Sequence, residues 1–393
     1  MEIITGGVTA AKGFMAAGVE AGIKYQNRKD MAMVYSKTPC RAAGVFTTNV
    51  VKAAPVLWDK EVVESEWEAQ AIVVNSGIAN ACTGKLGYEY CRETAGAAAD
   101  ALEISPQSVL ICSTGVIGMQ LPMEKMTEGV RMLAKAIMTT DTRNKQVAVK
   151  VTIGGKEVTI GGMCKGSGMI HPNMCTMLAF VTTDVNISKK LLQEALSADV
   201  QDTFNMVSVD GDTSTNDTLL VLANGQAENP EITEKGADYD TFVEALHYVN
   251  ETLAKKIAGD GEGATALFEV KVIHADNKED AKTLAKSVIT SSLTKAALFG
   301  HDANWGRILC ALGYSGAKFD PEAIELYLES SAGKILIFKD GMAADYSEEE
   351  ATRILSCSEV TALVDMKMGE AEATAWGCDL TYDYVKINAD YRS

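Results

Sequence analysis

The stretch KGSGMIHPNMCTMLAFVTTD, Lys165–Asp184, changes character at Thr176. Before it come Gly166, Gly168 and Pro172, residues that suit a tight loop. From it onward, TMLAFVTTD is an apolar, β-rich run that predicts a buried strand. A loop that feeds straight into a buried strand gives any chemistry at the junction a rigid support. Four chemistries compete for that junction: a phosphate loop, a metal site, a reactive cysteine and an activated threonine.

A phosphate loop carries its lysine after the glycines and opens a helix. Here Lys165 precedes the glycines and a strand follows. GDGEGA, residues 259–264, also lacks the dinucleotide-binding fingerprint. A metal site would draw on Cys164, His171 and Cys175, but there is no Cys-x-x-Cys pair. The remaining histidines, His247, His274 and His301, lack ligand spacing, so no metal is expected. Cys175 would need a neighbour that depresses its pKa. His171 is four residues away across a Pro-Asn turn, which fixes no useful geometry.

Thr176 needs no histidine if it becomes the first residue of a chain, because its own α-amine then serves as base. That amine has a reference pKa of about 7.7–8.0, close to working pH. The chain would have to cut itself before Thr176, in a strained loop supplied by the glycines, Pro172 and the small Cys175. The residues alone leave open the alternative that Thr176 merely begins a strand.

Outward from this stretch, VAVKVTIGGKEVTIGG (Val147–Gly162) alternates by twos around Gly154-Gly155 and predicts a tight hairpin. Ser188 can cap a helix that lines up Leu192, Leu196 and Val200. AIVVNSG (71–77), SVLICSTG (108–115), DTLLVLANG (217–225) and LFEVKVIHA (267–275) read as strands. Residues 88–102, 122–138 and 240–257 read as helices, followed by one running through Ala297 and one over 304–312. The closing GCDLTYDYVKINADYRS alternates like a strand and then tails off. The expected fold is α/β, with mixed and antiparallel sheets layered by helices. A composition change at AGDGEGAT (258–265) predicts a larger domain over 1–265 and a smaller α/β domain over 266–393.

The 393 residues carry 36 basic and 53 acidic side chains, a net charge of −17, which argues against nucleic-acid and anionic-membrane partners. The partner expected is a small molecule. Nine scattered cysteines read as free thiols in a reducing compartment. The N-terminus has no signal-peptide pattern and no run of about 18 apolar residues occurs, so a cytoplasmic location is expected.

KGSGMIHPNMCTML (165–178) resembles the signature of the ornithine acetyltransferases, also called glutamate N-acetyltransferases, the bifunctional proteins of arginine biosynthesis. Further blocks resemble that family in the same order: NSGIANACTG (75–84), STGVIG (113–118), AIMTTDT (136–142), DGDTSTNDT (210–218), DGEGAT (260–265), GHDANWGRI (300–308) and DYVKINADYRS (383–393). The resemblance implies a self-cleaving, N-terminal-nucleophile-like architecture. It also implies a cut between Cys175 and Thr176 that yields chains 1–175 and 176–393, assembled as two of each. It makes Thr176 the nucleophile, Thr114 and Gly115 the oxyanion hole, and Thr139, Lys165, Thr176, Glu262, Asn388 and Ser393 substrate contacts, with the tail returning to the active site. Lys165 would pair with a substrate carboxylate and Glu262 with a substrate ammonium. The implied reaction moves an acetyl group from N2-acetylornithine to L-glutamate through acetyl-Thr176, with acetyl-CoA as a second acetyl donor and no bound cofactor. A self-cleaving aminopeptidase or amidase of similar architecture is the alternative. The sequence departs from the family pattern at Cys175 (usually alanine), Ile78 (usually asparagine) and Ser393 (usually threonine), and it is shorter between Gly118 and Ala136.

Overall fold

The structure, a computed structural model, describes residues 1–136, 145–171 and 177–390. Thr139, Cys175, Thr176 and Ser393 lie outside them, as do the last two residues of the helix expected over 122–138. The chain divides into two compact units. The first comprises Met1–Lys165, Asn173–Val200 and Thr213–Leu253; the second comprises Gly166–Pro172, Gln201–Asp212 and Ala254–Ser393. Among the described residues, no helix is long and apolar enough to cross a membrane.

Among the described residues, the first unit holds nine strands: β1 (Glu2–Ile4), β2 (Phe14–Val19), β3 (Met31–Phe46), β4 (Ala69–Asn75), β5 (Val109–Ser113), β6 (Gln146–Ile153), β7 (Lys156–Lys165), β8 (Leu178–Thr183) and β9 (Thr218–Ala223). They form one sheet in the order β1-β6-β7-β8-β9-β3-β4-β5, with β2 also on β3. β3 serves both halves: Met31–Tyr35 pairs with β4, and after a register shift Arg41–Phe46 pairs with β9. The β4–β5 and β8–β9 pairs are parallel and the other pairs antiparallel. The hairpin predicted around Gly154-Gly155 is present, with φ of 55° and 75° at the two glycines, the left-handed pair that a two-residue turn demands.

Helices α1 (Ala54–Glu64), α2 (Lys85–Leu102), α3 (Met123–Ala136), α4 (Lys189–Asp199) and α5 (Ala237–Ala258) complete this unit, α5 running on into the second. Adjacent strand residues face opposite ways. Met33, Val73 and Ile111 pack with Ala95 and Ala98 of α2 and with Met126, Val130 and Leu133 of α3. Their neighbours Val34, Ile72 and Leu110 pack with Phe180, Leu220 and Leu222 of β8 and β9. The two halves of the sheet therefore stack face to face. On the far side of the β7–β8 portion, α5 brings Val249 and Leu253 against Gly162, where a Cβ would lie 2.8 Å from Leu253. Strands buried on both faces explain the unbroken apolar runs AIVV, LIC and LLVL. Ser188 caps α4 as expected, accepting from the Leu191 N–H at 3.4 Å.

The second unit contains β10 (Leu267–Ala275), β11 (Glu325–Ser330), β12 (Gly333–Lys339), β13 (Met342–Ala343), β14 (Glu359–Asp365) and β15 (Ala371–Cys378), in the order β13-β12-β11-β14-β10-β15. Its helices are α6 (Lys278–Thr290), α7 (Ser292–Phe299), α8 (Trp305–Gly313), α9 (Glu348–Leu355) and α10 (Tyr382–Ala389). Two expectations are corrected here. The helix expected to run through Ala297 breaks at Ser291, whose hydroxyl accepts from the Thr294 N–H and starts a new helix. The closing segment is a strand only to Cys378. Thr381 then caps α10, accepting from the Tyr384 N–H and donating to the Gly263 carbonyl at 2.8 Å. The first unit and the second are each mixed α/β, sheet layered with helix, as the sequence predicts.

Candidate active site

In the first unit, strand β5 ends at Ser113 and delivers Thr114 and Gly115 just beyond the sheet. The segment that follows is laced to the end of β4. Thr114 N–H donates to Asn75 O at 3.0 Å, Val116 N–H to Gly77 O at 3.1 Å, and Gly118 N–H to Ala81 O at 2.9 Å. The Gly115 amide thus sits between two neighbours already committed to backbone carbonyls. Gly115 itself has φ of 134°, and a Cβ there would lie 2.2 Å from the Gly77 carbonyl carbon. Only glycine fits that approach. Two blocks separated in sequence, 75–84 and 113–118, therefore form one paired structure.

Side chains tighten the same place. Asn75 Nδ2 donates to Ile78 O at 2.9 Å, and Ser113 Oγ donates to Asn75 Oδ1 at 2.6 Å. Asn216, buried, donates through one Nδ2 to both Ala79 O (2.6 Å) and Ser113 O (2.8 Å). Asn216 stands two residues ahead of β9, whose first residue Thr218 is in parallel register with Leu178 of β8. Ile78, where a polar residue was noted as usual, is buried in the apolar cluster beside α2. The outer edge of β5 is covered by α1. Trp58 Nε1 donates to Val109 O at 2.8 Å, and Ile111 N–H donates to Asp59 Oδ1 at 2.6 Å. Full burial pushes the Asp59 carboxyl well above the usual carboxylate range.

Lys165 is the last residue of β7, exposed, and its Nζ donates to Thr114 Oγ1 at 3.1 Å. Of the predicted site residues, the first unit brings together Thr114, Gly115 and Lys165. Cys164, weighed above as a ligand, is buried and donates its thiol to Leu253 O at 3.7 Å.

The second unit brings together two more. Asn388 on α10 donates to Glu262 Oε2 at 2.8 Å. The Glu262 N–H donates to Ser167 O at 2.8 Å, and a Cβ on Gly168 would lie 2.4 Å from the Glu262 carboxyl carbon. The loop from Gly166 to His171 thus lies against Glu262. Asp210 holds the same loop, accepting from Met169 N–H and Ile170 N–H at 2.7 Å each and from Tyr384 Oη at 3.3 Å. Burial and the Asp210 carboxylate push the Tyr384 phenol up. His171 Nδ1 is 3.1 Å from Ser208 Oγ, and burial, with Lys286 nearby, pushes its pKa below the ordinary value of 6.5.

Asn216 and Asp210 were not singled out from the sequence. Both fall in the block DGDTSTNDT, where nothing in the residue types separates buried from exposed polar groups. Among the described residues, no group of three or more His, Cys, Asp or Glu side chains is placed to hold a metal ion.

Residues 15–393 match the ArgJ family. The arginine biosynthesis bifunctional protein ArgJ of Caldanaerobacter subterraneus subsp. tengcongensis is 51% identical, with 100% of both chains covered. ArgJ 1 of Clostridium acetobutylicum is 52% identical, covering 98% of this chain and 97% of that one. A crystal structure of the arginine biosynthesis bifunctional protein argJ from Bacillus halodurans aligns with 49% identity and a TM-score of 0.52, over 55% of this chain and 99% of that chain.

Proposed function

The chain belongs to the ArgJ family, and on that premise we propose that it is an acetyltransferase of arginine biosynthesis that activates itself by cutting the Cys175–Thr176 bond. The Thr176 hydroxyl adds to the Cys175 carbonyl carbon; the C–N bond breaks, a C–O bond forms, and the proton passes to the freed amine. Water then hydrolyses the ester, leaving a carboxylate on Cys175 and a free hydroxyl on Thr176. Residues 176–393 are 218 of 393, or 55%. The Bacillus halodurans chain, aligned over 99% of its own length, covers 55% of this chain, the share that one such piece would make up. This supports a two-piece protein.

In the transfer reaction the Thr176 α-amine takes the hydroxyl proton as the oxygen attacks the acetyl carbonyl of N2-acetylornithine. The oxyanion collapses, ornithine leaves with the proton on its amine, and acetyl-Thr176 remains. The amine of L-glutamate then attacks that ester, giving N-acetylglutamate and restoring the threonine. Acetyl-CoA can load the same hydroxyl, with the thiol as leaving group. The protein would act in the cytoplasm as two copies of each piece, with small molecules as its only substrates and no bound cofactor.

The observation that carries this reading is the 3.1 Å bond from Lys165 Nζ to Thr114 Oγ1. An ammonium can only donate, so Thr114 Oγ1 accepts from it and the hydroxyl proton is turned away from Lys165. That proton, with the Gly115 N–H, supplies the two donors an acyl oxyanion needs. The Lys165 ammonium also places a positive charge beside Thr114, suited to a substrate carboxylate. Glu262, with one oxygen on Asn388, retains acceptor sites for a substrate ammonium.

Turnover of N2-acetylornithine with and without glutamate tests the reading. Acetyl transfer dependent on glutamate is expected. Release of free acetate at the same rate without glutamate would replace it with a self-cleaving amidase.

A further inference from the structure

The loop that leads to the cut is held by more than its own glycines. Met169 has φ of 57°, a left-handed conformation that an unbranched non-glycine side chain enters only at a cost. Both Met169 N–H and Ile170 N–H point at one carboxylate, Asp210, at 2.7 Å each. The chain beside Asp210 returns the contact, since Val209 N–H donates to Ile170 O at 2.6 Å. Ser167 O and His171 Nδ1 are engaged by Glu262 N–H and Ser208 Oγ. Every anchor of the loop from Ser167 to His171 named here lies in residues 208–262, whereas Leu178 onward is fixed in β8 by its own ladder. Along the chain, the Cys175–Thr176 bond falls after His171 and before Leu178.

We infer that Asp210 is a positioning residue for self-cleavage, clamping Met169 and Ile170 in the strained conformation from which the Cys175–Thr176 bond is cut, and afterwards keeping those two residues of the first piece on the second. This rests on the self-cleavage reading above. Two amide donors on a charged acceptor are worth enough to hold a left-handed residue in place. With the clamp removed, Met169 relaxes to an ordinary conformation and the backbone at Ile170, five residues before the last residue ahead of the cut, is no longer fixed. Asp210 touches no reacting atom in this account. It acts through the backbone of Met169 and Ile170.

Cleavage is followed by intact mass against time after cell-free synthesis of the full chain, for wild type, Asp210→Ala, Asp210→Asn, and Asp210→Ala combined with Met169→Gly. Losing both charged acceptors should slow cleavage about 100-fold, and Asp210→Asn, which keeps one acceptor, about tenfold. The added Met169→Gly should recover part of the loss, because glycine enters the left-handed region freely; a general folding defect would not respond to it. If Asp210→Ala does not fold, as judged by its circular dichroism, Asp210→Asn carries the comparison. Wild-type rates in the Asp210 variants that fold, or no rescue by glycine, overturn this inference while self-cleavage stands. A wild-type chain that stays whole overturns both.

Discussion

Lys165 at the end of β7 donates to the hydroxyl of Thr114, the residue that follows β5, across 3.1 Å. A strand adjoining β8 thereby sets the proton direction of a group on another part of the sheet. Replacing Thr114 by valine keeps the shape and removes the donor. The expected loss in kcat is about 10²–10³-fold with KM little changed. Lys165→Met should lower kcat less and raise KM for glutamate more. Steady-state kinetics of the two variants separates the roles.

Gly115→Ala should be far more damaging than its one methyl suggests. The new Cβ would sit 2.2 Å from the Gly77 carbonyl carbon at a φ of 134°. The backbone must move, at about 1–3 kcal/mol or more, and the amide that serves the oxyanion moves with it. Thermal unfolding and kcat should both fall.

Asn216 is the tie between β9 and the Thr114 loop. Removing it as Asn216→Ala leaves two buried carbonyls without their donor, costing about 2–4 kcal/mol by denaturant unfolding. Asn216→Asp is the sharper test. It is nearly isosteric, yet a carboxylate cannot donate to Ala79 O and Ser113 O, so its loss in stability and kcat should match alanine.

His171 gives the loop a pH dependence. Its folded pKa lies below 6.5, so between the folded and unfolded values the unfolded chain binds more protons. The contribution is fully present above pH 6.5 and is lost as pH falls through the folded pKa. Urea midpoints measured downward from pH 7 should fall less steeply for His171→Gln than for wild type.

Local signals were legible. Gly154-Gly155 announced its turn, Ser188 its helix, and the apolar runs at 71–74 and 218–222 their buried strands. The stacking of the two sheet halves was not, because runs such as AIVV are apolar on both faces and do not say which face meets a helix and which meets β8 and β9. The final helix escaped for a different reason. Tyr382, Val385 and Ile387 are exposed, so their spacing reports no core, and the local cues are the cap at Thr381 and the charges of Asp383 and Lys386 in the first and last turns. Thr114, Gly115 and Lys165 were named from motifs. Asp210 and Asn216 were not, since their work depends on backbone groups that only the folded chain brings within reach.

The proposed chemistry turns on Thr176 becoming an N-terminal nucleophile that carries acetyl. Intact mass of the purified protein, mixed with N2-acetylornithine in the absence of glutamate, addresses it directly. Pieces of 175 and 218 residues are expected, the second beginning Thr-Met-Leu and gaining about 42 Da, one acetyl group. A single unmodified chain of 393 residues, or a second piece that never gains that mass, would contradict it.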